Sequence, residues 1–228
     1  MKINKSFAMF FILFVSTILC QIYVAVNPTI SFGVKEKLGI VILGIVWLFL
    51  SFWQLLKGVK EYSQKRQLMN IFIMLVFIIY MVNLVYLLFF DGDFGRNITL
   101  QNDKLLSNMV EGINLKPFKM MKDYFLAYQN GNKYLSHLLL NVVGNLIVFA
   151  PMGVLLPTLF KSMNSYFRFS IFTILIIIFS EFAQVYFGVG MGDIDDFILN
   201  FLGAFIVFII FKIPKINKAW KRCLYRDD

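Results

Sequence analysis

The feature that most constrains this chain is a series of six long apolar runs separated by polar segments. They lie near residues 7–26, 38–56, 68–90, 138–158, 168–187 and 197–212. A helix needs about 20 residues to cross about 30 Å of hydrocarbon, and each run is close to that length. Because hydrocarbon offers no partners for backbone N–H and C=O groups, such runs form helices that pair these groups internally.

The overall composition agrees with membrane insertion. Hydrophobic residues make up 59% of the chain and charged residues 15%, whereas soluble domains have about 45–50% apolar and about 25% charged residues. A soluble fold of 228 residues could not bury this much apolar surface. The sequence therefore predicts an all-α protein, a polytopic membrane helical bundle with about six transmembrane helices.

The distribution of Lys and Arg predicts the orientation, because positive loops stay in the cytoplasm. With the N-terminus inside, fourteen of the 22 basic residues are cytoplasmic. Both the N- and C-termini are then expected in the cytoplasm. This bias accounts for most of the net charge of +9, so no nucleic-acid partner is expected.

A loop at 91–136 is expected on the outer side. Within it, residues 113–125 are predicted to form an amphipathic helix on the membrane surface. In this interpretation Phe118, Met121 and Phe125 enter the lipid, while nearby lysines meet headgroups. The alternative is a solvated loop.

Polar residues recur at helical spacing in the fourth span. His137, Asn141 and Asn145 are four residues apart, so on a helix they share one face at steps of about 6 Å. Gly144 is expected to let another helix approach closely, and Pro157 to end the span.

The fifth and sixth spans carry polar groups at a matching depth. Glu181 and Gln184 share one face of the fifth span, and Asn200 lies in the first turns of the sixth. Charged groups inside a membrane usually face a bundle interior or a wet cavity. The sequence predicts an acidic pocket that opens to the outer leaflet. Its predicted lining is His137, Asn141, Asn145, Glu181, Gln184, Asp193, Asp195, Asp196 and Asn200.

Two interpretations of this cluster remain open. Asn and Gln often bridge membrane helices, so the residues could simply hold the bundle together. Alternatively, Glu181, Asp195 and Asp196 are candidate catalytic acids and bases, and whether the protein is an enzyme is left undecided. His137 with carboxylates could hold a divalent ion, but with one His in the chain and no Cys/His pair, no metal and no cofactor is predicted.

Four segments, in order, resemble the VanZ-like family of bacterial membrane proteins. They are "INLKPF" (113–118), "NVVGNLIVFAPMGVLLP" (141–157), "SEFAQ" (180–184) and "DIDDFILNFLGA" (193–204). The resemblance covers roughly residues 70 to 212. One departure is that many relatives have an arginine before the acidic run, whereas this chain has "GVGMGD" (188–193).

The resemblance implies a multi-pass protein of the bacterial cytoplasmic membrane with a role in resistance to glycopeptide antibiotics, more to teicoplanin than to vancomycin. Expected partners are membrane lipids and either a lipid-linked cell-wall precursor or a lipoglycopeptide. The function expected is binding of a lipid-tailed molecule, the alternatives being a membrane-embedded enzyme and a structural partner of cell-wall machinery. The predicted division is an N-terminal transmembrane hairpin with a basic loop (1–67), a VanZ-like domain (68–213) and a basic cytoplasmic tail (214–228).

Overall fold

The computed structural model describes residues 5–26, 34–91, 113–129, 135–190 and 192–225. Most of these residues are helical. The elements in chain order are α1 (Lys5–Val26), α2 (Val34–Gly58), α3 (Tyr62–Phe89), β1 (Ile113–Asn114), α4 (Lys119–Gln129), α5 (Leu135–Val148), α6 (Met152–Leu159), a 3-10 helix (Lys161–Asn164), α7 (Tyr166–Tyr186), β2 (Gly192–Asp193), α8 (Ile194–Lys212) and α9 (Pro214–Cys223).

Membrane-spanning segments dominate the described part of the chain. Five helical stretches there are long and apolar enough to cross a membrane, and Phe7–Tyr23 is a shorter apolar helix. The five stretches are Glu36–Gly58, Tyr62–Phe89, Asn141–Leu159, Tyr166–Tyr186 and Ile194–Lys212. The prediction of an all-α polytopic membrane bundle is confirmed.

The chain divides into two units, and the first comprises Met1–Ile79 with Lys218–Asp228. In it α1 and α2 pack together, with the Phe10 ring stacked on Trp47 at a centroid distance of 6.1 Å. The rings of Phe52 and Phe72, 5.4 Å apart, join α2 to α3. Aromatic side chains thus supply much of the packing in this unit.

The second unit, Tyr80–Asn217, depends on close contact between α8 and the α5–α6 pair. A Cβ atom at Gly203 of α8 would overlap the backbone carbonyl of Leu146. A Cβ at Gly153 of α6 would lie 2.6 Å from the backbone oxygen of Ala204. Only glycine permits these approaches. The prediction for Gly144 was wrong, because a Cβ there meets no described atom within 4 Å.

The helix break between α5 and α6 is caused by Pro151, which has no N–H to continue the ladder. The Met152 N–H turns to the carbonyl of Phe149, so the Val148 carbonyl accepts instead from the hydroxyl of Tyr80 at 2.8 Å. Because hydrocarbon contains no water to bond the Val148 carbonyl, the Tyr80 hydroxyl satisfies it instead. The predicted end at Pro157 was also wrong, since α6 continues through it to Leu159.

Helix α7 has one face in the interior and another exposed. The Phe169 ring of α7 stacks on the Phe208 ring of α8, with 4.1 Å between their centroids. The buried positions are Phe169, Thr173, Ile177, Ser180, Ala183, Gln184 and Val185. The opposite face exposes Phe167, Ile171, Leu175, Ile178, Phe179, Phe182 and Tyr186. This pattern turns Gln184 into the bundle and leaves an apolar stripe suited to lipid.

The expected outer loop differs from its prediction. A helix was predicted across 113–125, but residues 113 and 114 form strand β1, which pairs in parallel with β2, and the helix begins only at Lys119. Pro117 accounts for part of the difference, because the residue before a proline avoids helical backbone angles. Residues 92–112 of this loop lie outside the described residues.

Candidate functional site

The candidate site lies at one end of the second unit, which we call the acidic end. It is formed by α5 as far as Asn145, the first turns of α8, the last two turns of α7, and the β1–β2 pair. The short connection from α7 to α8 places these elements together. Gly188 has φ +67, a left-handed conformation that glycine adopts without steric cost and that helps reverse the chain.

Asp193 holds two elements at once. Its Oδ1 accepts the backbone N–H of Asp195 at 2.9 Å, so Asp193 is the N-cap of α8. Its Oδ2 accepts from the side-chain amide of Asn114 at 3.1 Å. Asn114 and Asp193 are also paired in the β1–β2 ladder. Asp193 is only 6% exposed, and both of its carboxylate oxygens are hydrogen-bonded within the protein.

Asp195 fixes the start of α4. It is 1% exposed, and its Oδ1 accepts the backbone N–H of Phe118. Phe118 has φ 61, a left-handed conformation that is uncommon for a residue other than glycine. A buried carboxylate therefore holds the strained residue from which α4 begins. The other oxygen, Oδ2, is buried and has no hydrogen-bond partner among the described residues.

We call the set Asn114, Phe118, Asp193 and Asp195 the carboxylate latch. Its bonds join sequence positions 79 and 77 residues apart. The Asn114 side chain also accepts the N–H of Lys116 at 3.3 Å, which shapes the turn between β1 and α4. The latch thus attaches the segment 113–118 to the N-terminus of α8.

The next carboxylate along α8 faces a different helix. Asn145 of α5 donates its side-chain amide to Asp196 Oδ1. One turn later, Asn200 is 3% exposed, and its Oδ1 has no hydrogen-bond partner in the described part of the chain. With Gly203 against Leu146 below them, these residues form the polar upper part of the α5–α8 contact.

The polar pair of α7 is divided between two environments. Gln184 is 4% exposed and donates to the carbonyl of Leu88 at 3.0 Å. Leu88 lies in the last turn of α3, where carbonyls have no helical partner. Glu181, one turn before Gln184, is half-buried. Gln184 therefore ties the end of α3 to α7 at the acidic end.

The remaining predicted residues are on α5. Asn141 is half-buried, one turn before Asn145. The His137 backbone belongs to α5, but its side chain lies outside the described residues. Within the part of the chain that the structure describes, no group of three or more His, Cys, Asp and Glu residues could hold a metal ion.

An open apolar groove of about 510 Å³ lies beside the latch, between α4 and α5. Its lining is Phe118, Met121, Lys122, Phe125, Leu139 and Val142. Phe118 belongs to both the latch and the groove, so Asp195 positions one wall of the groove through a backbone hydrogen bond. Leu139 continues along α5 into the exposed apolar residues Val143 and Ile147.

Sequence reasoning placed Asn145 in the same pocket as Asp196, but it missed the partners of Asp193 and Asp195 in the segment 113–118. It assigned Phe118 to a lipid-facing helix and gave Asn114 no role. The signal for Asn114 is local, because an Asn shortly before a Pro is typical of a turn in which the side chain bonds to the backbone. The bond from Phe118 to Asp195 has no comparable local signal.

Comparison with known proteins identifies the family. A family model described as VanZ/LLP1 matches residues 77–215, more than half of the chain. No curated protein and no solved structure matches this chain. The matched range contains the latch, the groove and every residue predicted for the pocket. The chain belongs to the VanZ/LLP1 family.

Proposed function

We propose that this VanZ-like membrane protein binds a lipid-tailed molecule at its acidic end and thereby lowers sensitivity to acylated glycopeptides such as teicoplanin. The molecule bound is either the lipoglycopeptide itself or a lipid-linked precursor of the cell envelope. The observation that carries this proposal is the position of the apolar groove directly beside the carboxylate latch.

The lining of the groove suits an acyl tail. Five of its six residues are apolar, and Lys122 supplies a single positive charge. Burial of apolar surface taken from water contributes about 25 cal/mol per Å², so the groove favours the part of a tail that would otherwise be exposed to water. Because Leu139 leads to exposed apolar residues of α5, a tail could enter from the surrounding lipid.

The acidic residues then act by holding the binding site together. Asp193 and Asp195 are engaged in the latch, and Asp196 binds Asn145. In this proposal their main contribution is to keep α4 against α5. The proposal thus differs from an open acidic pocket in which all the carboxylates contact the ligand.

The test compares susceptibility to teicoplanin and to vancomycin in cells with and without this gene. We expect protection against the drug that has an acyl chain and little against the one that lacks it. Val142→Trp should fill the groove and abolish protection. Leu175→Trp is the matched control, because Leu175 is an exposed apolar residue of α7 that neither lines the groove nor lies on its approach along α5. Equal loss in both variants, at equal membrane levels, would refute binding in the groove.

A membrane-embedded enzyme is the second candidate, favoured by the buried Asp195 oxygen that has no described hydrogen-bond partner. In this case Asp195 and Glu181 would act as acid and base on a lipid or cell-wall component at the membrane surface. Glu181→Gln and Asp195→Asn keep the side-chain shapes. If both variants insert normally and protect as well as the parent, the enzymatic proposal fails and binding stands.

A further inference from the structure

Helix α9 separates basic and apolar side chains onto two faces. At about 100° per residue, its four basic residues fall within an arc of about 120° and its main apolar residues within an opposing arc of about 100°. The basic face comprises Lys215, Lys218, Lys221 and Arg222. The apolar face comprises Ile216, Ala219, Trp220 and Cys223. The sequence predicted a basic tail here but not this division into two faces.

The position of α9 in the chain places it at a membrane boundary. Helix α8, which is long and apolar enough to span a membrane, ends at Lys212, and α9 begins two residues later at Pro214. Pro214 occupies the first position of α9, where proline is favoured. Because proline has no backbone N–H, it also prevents α8 from continuing into α9. The Lys212 ammonium lies over the Tyr166 ring at 5.9 Å. A lysine against aromatic side chains at a helix end is typical of the interface between hydrocarbon and water.

The last turn of α9 is attached within the first unit of the structure. Tyr225, directly after the helix, packs edge-on against Tyr62 with ring centroids 5.6 Å apart. The ammonium of Lys65 lies 5.6 Å from the centre of the Tyr225 ring. Both partners are in the first turn of α3.

We propose that α9 lies in the plane of the membrane surface and binds the headgroups of anionic phospholipids. A helix with a basic face and an apolar face that includes Trp rests at the headgroup boundary. Its charge selects the lipid, since each Lys or Arg near an anionic surface contributes about 1 kcal/mol, equivalent to about fivefold in partitioning. Its partner is therefore an anionic lipid surface, and this role is independent of the acidic end.

The test uses the full chain with Trp47→Phe and Trp53→Phe, so that Trp220 is the only fluorophore of its kind. The protein is reconstituted in vesicles of phosphatidylcholine alone, or with about 30% phosphatidylglycerol, an amount that gives a strongly negative surface. We expect Trp220 emission to shift to the blue only with phosphatidylglycerol. Lipids brominated near the headgroup should then quench it, and high salt should reverse both effects.

Charge variants separate lipid selectivity from simple burial. Changing the four basic residues of α9 to Gln should remove the response to phosphatidylglycerol, whereas changing its three lysines to Arg should preserve it. Lys116→Gln with Lys119→Gln, two exposed residues of the acidic end, should leave the response unchanged. Equal quenching in both vesicle types would overturn the proposal. Protection of Trp220 without lipid quenching would also overturn it, because protein rather than lipid would then cover the apolar face.

Discussion

Removing the Asp195 carboxylate should release the segment that carries α4. In the variant Asp195→Ala, the backbone N–H of Phe118 loses its acceptor. A hydrogen bond to a charged group contributes about 1.5–3 kcal/mol. Taking about 2 kcal/mol, the open population of the segment 113–118 should rise about 30-fold. The Asn114–Asp193 contact remains, so the helices of the bundle should stay folded.

Hydrogen exchange measured by mass spectrometry in lipid nanodiscs can test this magnitude. Peptides covering 113–129 should exchange about 30-fold faster in Asp195→Ala if local opening controls their exchange. Peptides from α5 and α7 should be unchanged. Asp195→Asn is the matched control, because its amide oxygen can still accept from Phe118, and we expect a much smaller effect.

Two results would refute the reasoning behind the latch. If Asp195→Ala leaves exchange of 113–129 within about threefold of the parent, the Phe118 bond contributes less than about 0.7 kcal/mol and does not hold the segment. If all helices of the second unit exchange faster together, Asp195 stabilises the whole bundle rather than this attachment.

Two further predictions concern the contact of α5 with α8. Gly203→Ala should destabilise the second unit by about 2–3 kcal/mol, because its Cβ overlaps the Leu146 carbonyl. Gly144→Ala should be neutral or slightly stabilising. Thermal unfolding in detergent would measure both variants, and equal effects would contradict the packing of α5 against α8. A double-mutant cycle of Asn145→Ala and Asp196→Ala should give a coupling energy of about 1–2 kcal/mol from their hydrogen bond, and purely additive losses would show that the bond contributes nothing to stability.

The helices were the most predictable part of this fold. Hydropathy placed the spans within a few residues, because crossing hydrocarbon imposes length and composition on each helix separately. The face of α7 that carries Gln184 could also be inferred, since helical period alone sets which residues share a face. Errors occurred where a local rule competed with packing: Pro157 lies inside α6, and the close approach occurs at Gly203 instead of Gly144.

The sequence by itself determined that this is a multi-pass helical membrane protein and that its carboxylates cluster near the ends of consecutive spans. Both properties depend on solvation and on spacing along one segment. Only the tertiary structure decided what those carboxylates contact. The bonds from Asn114 to Asp193 and from Phe118 to Asp195 join residues far apart in the chain. Their formation depends on how the β1 segment meets α8, which no pattern within either segment encodes.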